Sequence, residues 1–263
     1  MAITVKFAMS AALGLEIANN IARLVINRPA RKNALDAAMW ASLPALLAKA
    51  AASARVLILS GAGGNFCAGA DISEFATVRK DAESARTYEA VNSAAFRALR
   101  ETPIPVIAAI DGICYGGGFG LAAASDIRLA TPDARFSVPA ARLGLAYPQD
   151  AMADIVAACG SQLAKYLTFT GAVLSAEDAL GAGFLMEVHL PAVLEGRVGA
   201  LARQIADAAP LSVRASKASI RAVTEPGFAA SAARLGALTF DSADYAEGRA
   251  AFAERRKPVF TGS

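Results

Sequence analysis

Gly61-Ala-Gly-Gly-Asn-Phe-Cys-Ala-Gly-Ala-Asp-Ile (residues 61–72) and Asp111-Gly-Ile-Cys-Tyr-Gly-Gly-Gly-Phe-Gly (residues 111–120) are the two glycine-rich stretches that decide the fold of this chain. Each follows a short apolar run typical of a strand buried on both faces, and each leads towards a helical pattern. Helix N-termini leave N–H groups unpaired and carry a partial positive charge, and glycine lets the backbone approach a ligand closely. Two such turns facing each other would form an oxyanion hole, although either turn alone is equally well explained as a tight connection.

The remaining sequence alternates strands and helices as far as about residue 149 and is helical afterwards. Strands are predicted at 13–18, 21–26, 56–59, 105–110 and 126–130, and the earlier helices at 36–52, 81–100 and 119–124. Asn19-Asn20 joins the first two strands as a hairpin, because asparagine tolerates left-handed conformations. Pro44 predicts a kink or a break in the first helix. This alternation indicates an α/β fold with mostly parallel pairing and a helical subdomain in the last third.

Composition excludes several classes of protein. The chain has 263 residues, of which 55% are hydrophobic and 19% charged, and its net charge of +3 is too small to favour a nucleic-acid partner. The most apolar stretch, 103–124, is interrupted by Asp111 and by glycines, so we expect no membrane span. The three cysteines, Cys67, Cys114 and Cys159, are too widely spaced for a disulfide framework or a metal site. These features, together with an N-terminus that lacks a secretory pattern, favour a cytoplasmic protein without a bound metal.

A series of short motifs then occurs in a characteristic order and spacing. They are Asn27-Arg-Pro, Asn33-Ala-Leu, Phe66-Cys-Ala-Gly-Ala-Asp-Ile, Ile110-Asp-Gly with Gly116-Gly-Gly, Ser125-Asp-Ile-Arg-Leu-Ala, Arg135-Phe, Leu143-Gly-Leu and Arg256-Lys-Pro-Val-Phe. From about residue 13 to the C-terminus, the chain closely resembles the crotonase superfamily of enoyl-CoA hydratases and isomerases. The resemblance implies a crotonase-like spiral of ββα units with a C-terminal helical subdomain. Residues 1–200 would form the spiral core with the acyl-CoA site, and 201–263 a helical trimerisation region.

The resemblance also implies the ligand and the residues that bind it. The substrate would be an acyl-CoA thioester, with coenzyme A as part of the substrate and no separate cofactor, and the assembly a homotrimer or a dimer of trimers. The backbone N–H groups of Ala70 and Gly117 would hold the thioester oxygen as an enolate forms. The other residues expected at the substrate are Ala68, Gly69, Asp71, Ile72, Gly116, Gly120 and Ala140.

The chain departs from the hydratases at both of their catalytic glutamates. The matching positions are Gly120, three residues after Gly117, and Ala140, in Phe136-Ser-Val-Pro-Ala. Because a general acid or base typically contributes about 10²–10⁴-fold, the chain is expected to be a poor hydratase. Asp150 is the leading substitute for an acid/base group and Tyr147 the second, although Asp150 also suits the first turn of a helix as a cap. Decarboxylation, isomerisation or hydrolysis of an acyl-CoA stays open, as does a catalytically silent acyl-CoA binder.

Other polar residues near these motifs are expected to be structural. Asp71 and Asp126 would brace loops, Ser137 and Tyr115 would form hydrogen bonds, and His189 lies far along the chain from both glycine turns. Cys67 and Cys114 are interpreted as small packing residues. The basic run at 255–257 would either reach a coenzyme A phosphate, on this or a neighbouring subunit, or lie in solvent.

Overall fold

The computed structural model describes residues 5–10 and 12–263, and it confirms the α/β class. The strands are β1 Val5–Ser10, β2 Leu13–Ala18, β3 Ile21–Ile26, β4 Val56–Gly61, β5 Val106–Ile110, β6 Ile113–Tyr115, β7 Ile127–Ala130, β8 Arg135–Ser137, β9 Val173–Ser175 and β10 Glu187–Val188. The helices are α1 Ala37–Ser53, α2 Phe75–Val78, α3 Ala82–Glu101, α4 Gly117–Ala123, α5 Gln149–Thr170, α6 Ala176–Gly181, α7 Pro191–Ala206, α8 Pro210–Thr224, α9 Ala229–Leu238 and α10 Ala243–Glu254. None of the helices in the described part of the chain is long and apolar enough to cross a membrane.

Two sheets form the spiral. The larger sheet has the order β1-β2-β3-β4-β5-β7-β10, and the smaller has the order β6-β8-β9. Pairing is antiparallel from β1 to β3 and parallel from β3 through β4, β5 and β7 to β10. Asn19 and Asn20 have φ values of 52° and 63°, so the first turn adopts the left-handed geometry that a two-residue hairpin requires.

The parallel strands are apolar on both faces because each face packs against helices. One face belongs to a large core that includes residues of α1, α3 and α4, and it buries Trp40, Phe96 and Phe119. On the other face, Val56, Ile58, Ile107 and Leu129 pack against α7. The predicted boundary at residue 200 falls inside α7, which is packed on the sheet, and α8 to α10 follow it.

The structure corrects two helix predictions. α1 continues through Pro44 without a break, because proline removes one donor from the helix and the apolar face of Leu43, Leu46 and Leu47 is buried on both sides of it. α4 begins at Gly117 rather than at Phe119, so Gly117 is the first residue of the helix and its N–H group is one of those that a helix leaves unpaired.

Candidate active site

Asn33 holds the first glycine turn in place. Its side chain is fully buried, and its Nδ2 donates to the carbonyl oxygens of Ala62 at 2.7 Å and Asn65 at 2.6 Å. Its Oδ1 accepts a hydrogen bond from the N–H of Arg28 at 2.8 Å. The Asn33-Ala-Leu motif therefore acts as a brace that satisfies backbone groups of a loop lacking regular secondary structure.

Asp71 ends the same turn and is also a brace. Its carboxylate accepts hydrogen bonds from the Ser73 hydroxyl at 2.6 Å, the Ser73 N–H at 3.1 Å and Arg28 Nη2 at 3.0 Å. These contacts, the Ser73 hydroxyl first among them, lower the pKa of Asp71. Asp126 similarly accepts from the Val106 N–H and from Lys217 Nζ, both at 2.7 Å. Both aspartates have the structural role expected from the sequence.

The two glycine turns pack directly on each other. The backbone of Cys67 pairs with that of β6, donating to Ile113 and accepting from Tyr115, each at 2.9 Å. A Cβ added to Gly118 would lie 2.2 Å from the carbonyl oxygen of Cys67, and one added to Gly69 would lie 3.0 Å from the backbone nitrogen of Gly117. Glycine is therefore required at these positions because the two backbones touch where α4 begins.

Ala70 and Gly117 line one cavity of about 380 Å³. Neither backbone N–H group donates a hydrogen bond to any residue of the described chain. Each N–H therefore lacks an acceptor within the described chain, which is the condition that a donor of an oxyanion hole must meet. Of the other predicted site residues, those that line the cavity are Ala68, Ile72, Gly116, Ala140 and Tyr147. Those outside its lining are Gly69, Asp71, Gly120 and Asp150.

Gly120 is separated from the cavity by an aromatic side chain. It is buried in α4, and a Cβ at this position would meet the Phe96 ring at 2.8 Å. Phe96 lines the cavity in turn and packs edge to face on Trp40, with 5.4 Å between ring centroids. The ring of Phe96 therefore borders the cavity beside Gly120, where the resemblance places a hydratase glutamate, whereas Ala140 contributes its methyl group to the wall.

Tyr147 places a phenol beside the second turn. Its hydroxyl oxygen lies 3.4 Å from the position that a Cβ of Gly116 would take. Burial, followed by the negative charge of Glu89, raises the pKa of Tyr147 well above its ordinary value. The phenol is consequently neutral near pH 7 and can donate a hydrogen bond into the cavity.

Asp150 faces a neighbouring groove instead. This groove is lined by charged residues of α3, α5 and α8, including Arg100, Asp154 and Arg221. Asp150 Oδ1 accepts from the Ser93 hydroxyl at 3.2 Å and from the Ala151 N–H at 2.9 Å, while Oδ2 is buried without a partner in the described chain. Burial raises the pKa of Asp154 to about 6, although Arg100 lies 2.6 Å away. The leading sequence candidate thus lies at the edge of the charged groove, outside the cavity lining.

Polar residues that the sequence did not predict also line the cavity, from α1, from α3 and from the position that follows α2. They are Trp40, Arg79, Glu89 and Asn92, the last of which has its Oδ1 buried without a partner in the described residues. A signal was present in α3, where Glu89 continues the stripe of Asn92, Phe96 and Leu99 at helical spacing. A carboxylate in line with a buried stripe needs either a charged partner or a cavity on that face.

The remaining polar groups of interest bind within the protein. Ser137 donates to the Gly171 carbonyl oxygen at 3.1 Å, and His189 lies 2.7 Å from Glu187. Burial raises the pKa of Cys67 to about 12, so this thiol packs as a neutral group. In the basic run at 255–257, Arg256 pairs with Glu247 and Glu254, and Lys257 with Asp207. Within residues 5–10 and 12–263, no group of three or more His, Cys, Asp or Glu side chains is arranged to hold a metal ion.

Comparison with known proteins identifies the class that this fold and site define. The family model described as enoyl-CoA hydratase/isomerase matches residues 16–263. The (E)-benzylidenesuccinyl-CoA hydratase of Thauera aromatica is 33% identical, over 95% of this chain and 98% of that protein. The short-chain-enoyl-CoA hydratase of Clostridium acetobutylicum is 32% identical, over 92% of this chain and 95% of that protein. A crystal structure of an enoyl-CoA hydratase/carnithine racemase from Magnetospirillum magneticum superposes with a TM-score of 0.91 at 36% identity, covering 98% of this chain and 97% of that one.

The chain therefore belongs to the enoyl-CoA hydratase/isomerase (crotonase) family. Its resemblance in sequence is thus matched by its fold along nearly the whole chain.

Proposed function

We propose that this protein binds an acyl-CoA thioester and stabilises its enolate, with the N–H groups of Ala70 and Gly117 as the oxyanion hole. The observation that supports this most directly is that Ala70 and Gly117 line one cavity and that neither N–H group has an acceptor in the described chain. Preorganised donors of this kind each stabilise an enolate-like transition state by about 3 kcal/mol. The membership of the family accounts for the coenzyme A thioester as the substrate class.

Hydration is not expected to be the main reaction. Neither Gly120 nor Ala140 carries a proton, and each missing glutamate is expected to cost roughly 10²–10⁴-fold in rate. Decarboxylation of a carboxylated acyl-CoA suits such a site, since the departing carbon dioxide leaves the enolate behind without a base. Isomerisation and thioester hydrolysis are the other candidate reactions. A silent acyl-CoA binder is the second candidate function, favoured by the absence of both glutamates.

A panel of thioesters distinguishes an active enzyme from a silent acyl-CoA binder. We expect one of the enoyl-, 3-hydroxyacyl-, malonyl- or methylmalonyl-CoA thioesters to be converted to product, as followed by mass spectrometry. Retention of every thioester unchanged, despite tight binding across the panel, would establish the silent binder instead.

The proposed hydrogen bonds to the thioester oxygen can be tested without any mutation. Trp40 is the only tryptophan of the sequence and lines the cavity, so its fluorescence reports binding. Butyryl-CoA carries the thioester oxygen, and S-butyl-CoA lacks it. Two hydrogen bonds at about 0.5–1.5 kcal/mol each predict that butyryl-CoA binds roughly 5- to 150-fold more tightly. Equal affinities would contradict the assignment of Ala70 and Gly117.

The expected assembly and location complete the proposal. Apolar side chains are exposed in the C-terminal region, among them Ile220, Val223, Phe240 and Phe252. Assembly would remove these apolar side chains from water, which favours the proposed trimer or dimer of trimers through residues 201–263. Sedimentation equilibrium would distinguish these states, and a monomer at micromolar concentration would argue against both. A cytoplasmic location, with no cofactor besides the coenzyme A of the substrate, is part of the same proposal.

A further inference from the structure

Glu89 is the one carboxylate among the residues that line the cavity in the described chain. It lies in the second turn of α3, one helical turn before Asn92 and two before Phe96. The lining also includes Ala70 and Gly117, so the residue that carries the carboxylate and the two residues with free N–H groups border the same cavity. Nothing in the sequence motifs assigns a function to this residue.

Arg79 fixes one side of this carboxylate. Its Nη2 donates to Glu89 Oε2 at 3.0 Å, and its guanidinium carbon lies 4.8 Å from the Phe75 ring centroid and 4.9 Å from that of Tyr88. Contact with both aromatic rings restricts the guanidinium and therefore the carboxylate that it holds. The other oxygen, Oε1, accepts no hydrogen bond from the described residues, so one oxygen is positioned and the other is available.

The ionisable groups whose charges couple to that of Glu89 come from three neighbouring segments. Arg79 follows α2, Tyr147 lies in the loop before α5, and Asp150 lies in the first turn of α5. Tyr115 and Arg142 are the other ionisable residues on the cavity wall. Burial raises the pKa of Glu89, Arg79 opposes that rise, and the negative charge of Asp150 adds to it. Such an environment makes a carboxylate a stronger base and lets it hold a proton at higher pH.

We propose that Glu89 is a catalytic residue that transfers a proton to and from the acyl carbons of the bound thioester. The inference rests on the proposed function, since Ala70 and Gly117 must hold the thioester oxygen. For a 3-enoyl thioester, a Glu89 oxygen takes a proton from Cα, and the electrons of that C–H bond form a dienolate whose negative charge resides on the thioester oxygen. The Glu89 carboxylic acid then returns the proton to Cγ, which gives the 2-enoyl thioester without any co-reactant.

Asp150 acts in this scheme through its charge. It lies outside the cavity lining, and its Oδ1 is held by Ser93 and by the backbone of Ala151. Its negative charge is the smallest of the influences on the pKa of Glu89, after burial and the contact with Arg79, and it adds to the rise. This role differs from direct acid/base catalysis by Asp150, which would require contact with the substrate.

The test follows conversion of 3-hexenoyl-CoA and deuterium uptake into the acyl chain in D₂O, both by mass spectrometry. Glu89→Gln keeps the shape of the side chain and removes the base, so we expect both rates to fall at least roughly 10²-fold. Glu83→Gln, an exposed substitution on the same helix, is the matched control and should retain the wild-type rates. Binding of hexanoyl-CoA, read from Trp40 fluorescence, should be unchanged in both variants.

Several results would overturn the assignment. Rates in Glu89→Gln within threefold of wild type would exclude Glu89, and so would a wild-type protein that binds hexanoyl-CoA yet shows neither conversion nor exchange. A wild-type protein that does not bind hexanoyl-CoA would instead reject the proposed function itself.

The pH profile gives a second readout that survives if Glu89→Gln fails to fold. A base is active when deprotonated, so the rate rises as the pH increases through the pKa of Glu89. Removal of the neighbouring negative charge in Asp150→Asn lowers that pKa, and we expect the rising limb to move to lower pH with turnover retained. Loss of turnover in Asp150→Asn with normal folding would make Asp150 the catalytic group and would refute the assignment to Glu89.

Discussion

Gly120→Ala tests whether the Phe96 ring blocks the position at which the family resemblance places the first hydratase glutamate. The added Cβ would lie 2.8 Å from Phe96 Cε1 and 2.9 Å from Cζ. Carbon atoms in good contact are about 3.5–4.0 Å apart, so the ring would have to move by at least about 0.7 Å (3.5 − 2.8). Phe96 is only 4% exposed and packs on Trp40, so this movement disturbs the cavity wall.

Two opposing effects set the change in the free energy of unfolding of Gly120→Ala. Overpacking of a filled core costs about 1–3 kcal/mol, and alanine in place of glycine in a helix returns about 1 kcal/mol. Gly196 provides the matched control, because it lies on the exposed side of α7 and a Cβ there meets nothing within 4 Å. Gly196→Ala should therefore show only the stabilisation that alanine brings to a helix. The two variants should differ by about 1–3 kcal/mol in the free energy of unfolding.

Urea unfolding of wild type and both variants, at one protein concentration, measures this difference by far-UV circular dichroism. Adding Phe96→Leu to Gly120→Ala should recover part of the loss, because the shorter side chain gives space to the new methyl group. If the two alanine variants are equally stabilised, Phe96 does not fill the space and the reasoning fails. For the same reason, we expect the double variant Gly120→Glu, Ala140→Glu to hydrate crotonyl-CoA no faster than the background rate.

Two further predictions concern the polar groups around the cavity. Tyr147→Phe should reduce turnover about tenfold or more, because it removes a hydrogen-bond donor beside Gly116. The pH profile of the initial rate should not change below pH 9, since the wild-type phenol stays protonated there. A shift of either limb of that profile would contradict a neutral Tyr147. Asp71→Asn should destabilise the protein by about 1–3 kcal/mol at pH 7, because hydrogen bonds from Ser73 and Arg28 favour the charged carboxylate. The pKa of Asp71 is lowered in the folded state, so its contribution to the free energy of unfolding is complete above about pH 4 and is lost as the pH falls through the folded-state pKa. Urea unfolding at several pH values measures this contribution. A loss of stability in Asp71→Asn that persists undiminished in acid would refute the charge-based explanation.

Backbone features were the most predictable from the sequence, because they depend on local chemistry. Asn19 and Asn20 adopt the left-handed turn that their residue type favours. The glycines at 69 and 118 lie where two backbones touch and leave no space for a Cβ. The buried strands before each turn were equally clear, since a run such as Val56-Leu-Ile-Leu needs apolar partners on both faces. The break that Pro44 predicts as one alternative does not occur, because apolar packing on both sides of it outweighs one lost hydrogen bond.

The cavity was less predictable because its walls come from segments far apart in sequence. Local pattern identifies Asp150 as a residue at the start of a helix, but it does not reveal that the side chain faces a separate groove. Similarly, the contact between Phe96 and Gly120 joins α3 to α4 and has no local signature. Glu89 could have been suspected from the stripe on α3, yet only the fold shows that this stripe faces the glycine turns across one volume.

The departures at Gly120 and Ala140 and the presence of Glu89 are best explained together. With Phe96 against α4 and a methyl group at Ala140, neither of the walls expected to provide acid and base can supply a carboxylate. The free N–H groups of Ala70 and Gly117 would still stabilise a negative oxygen, but an enolate formed by proton removal also requires a base within reach of the acyl carbons. The cavity supplies such a base from α3, and Arg79 limits its movement. A site of this kind favours moving a proton along the acyl chain over activating water between two carboxylates, which is why isomerisation is the first reaction to test.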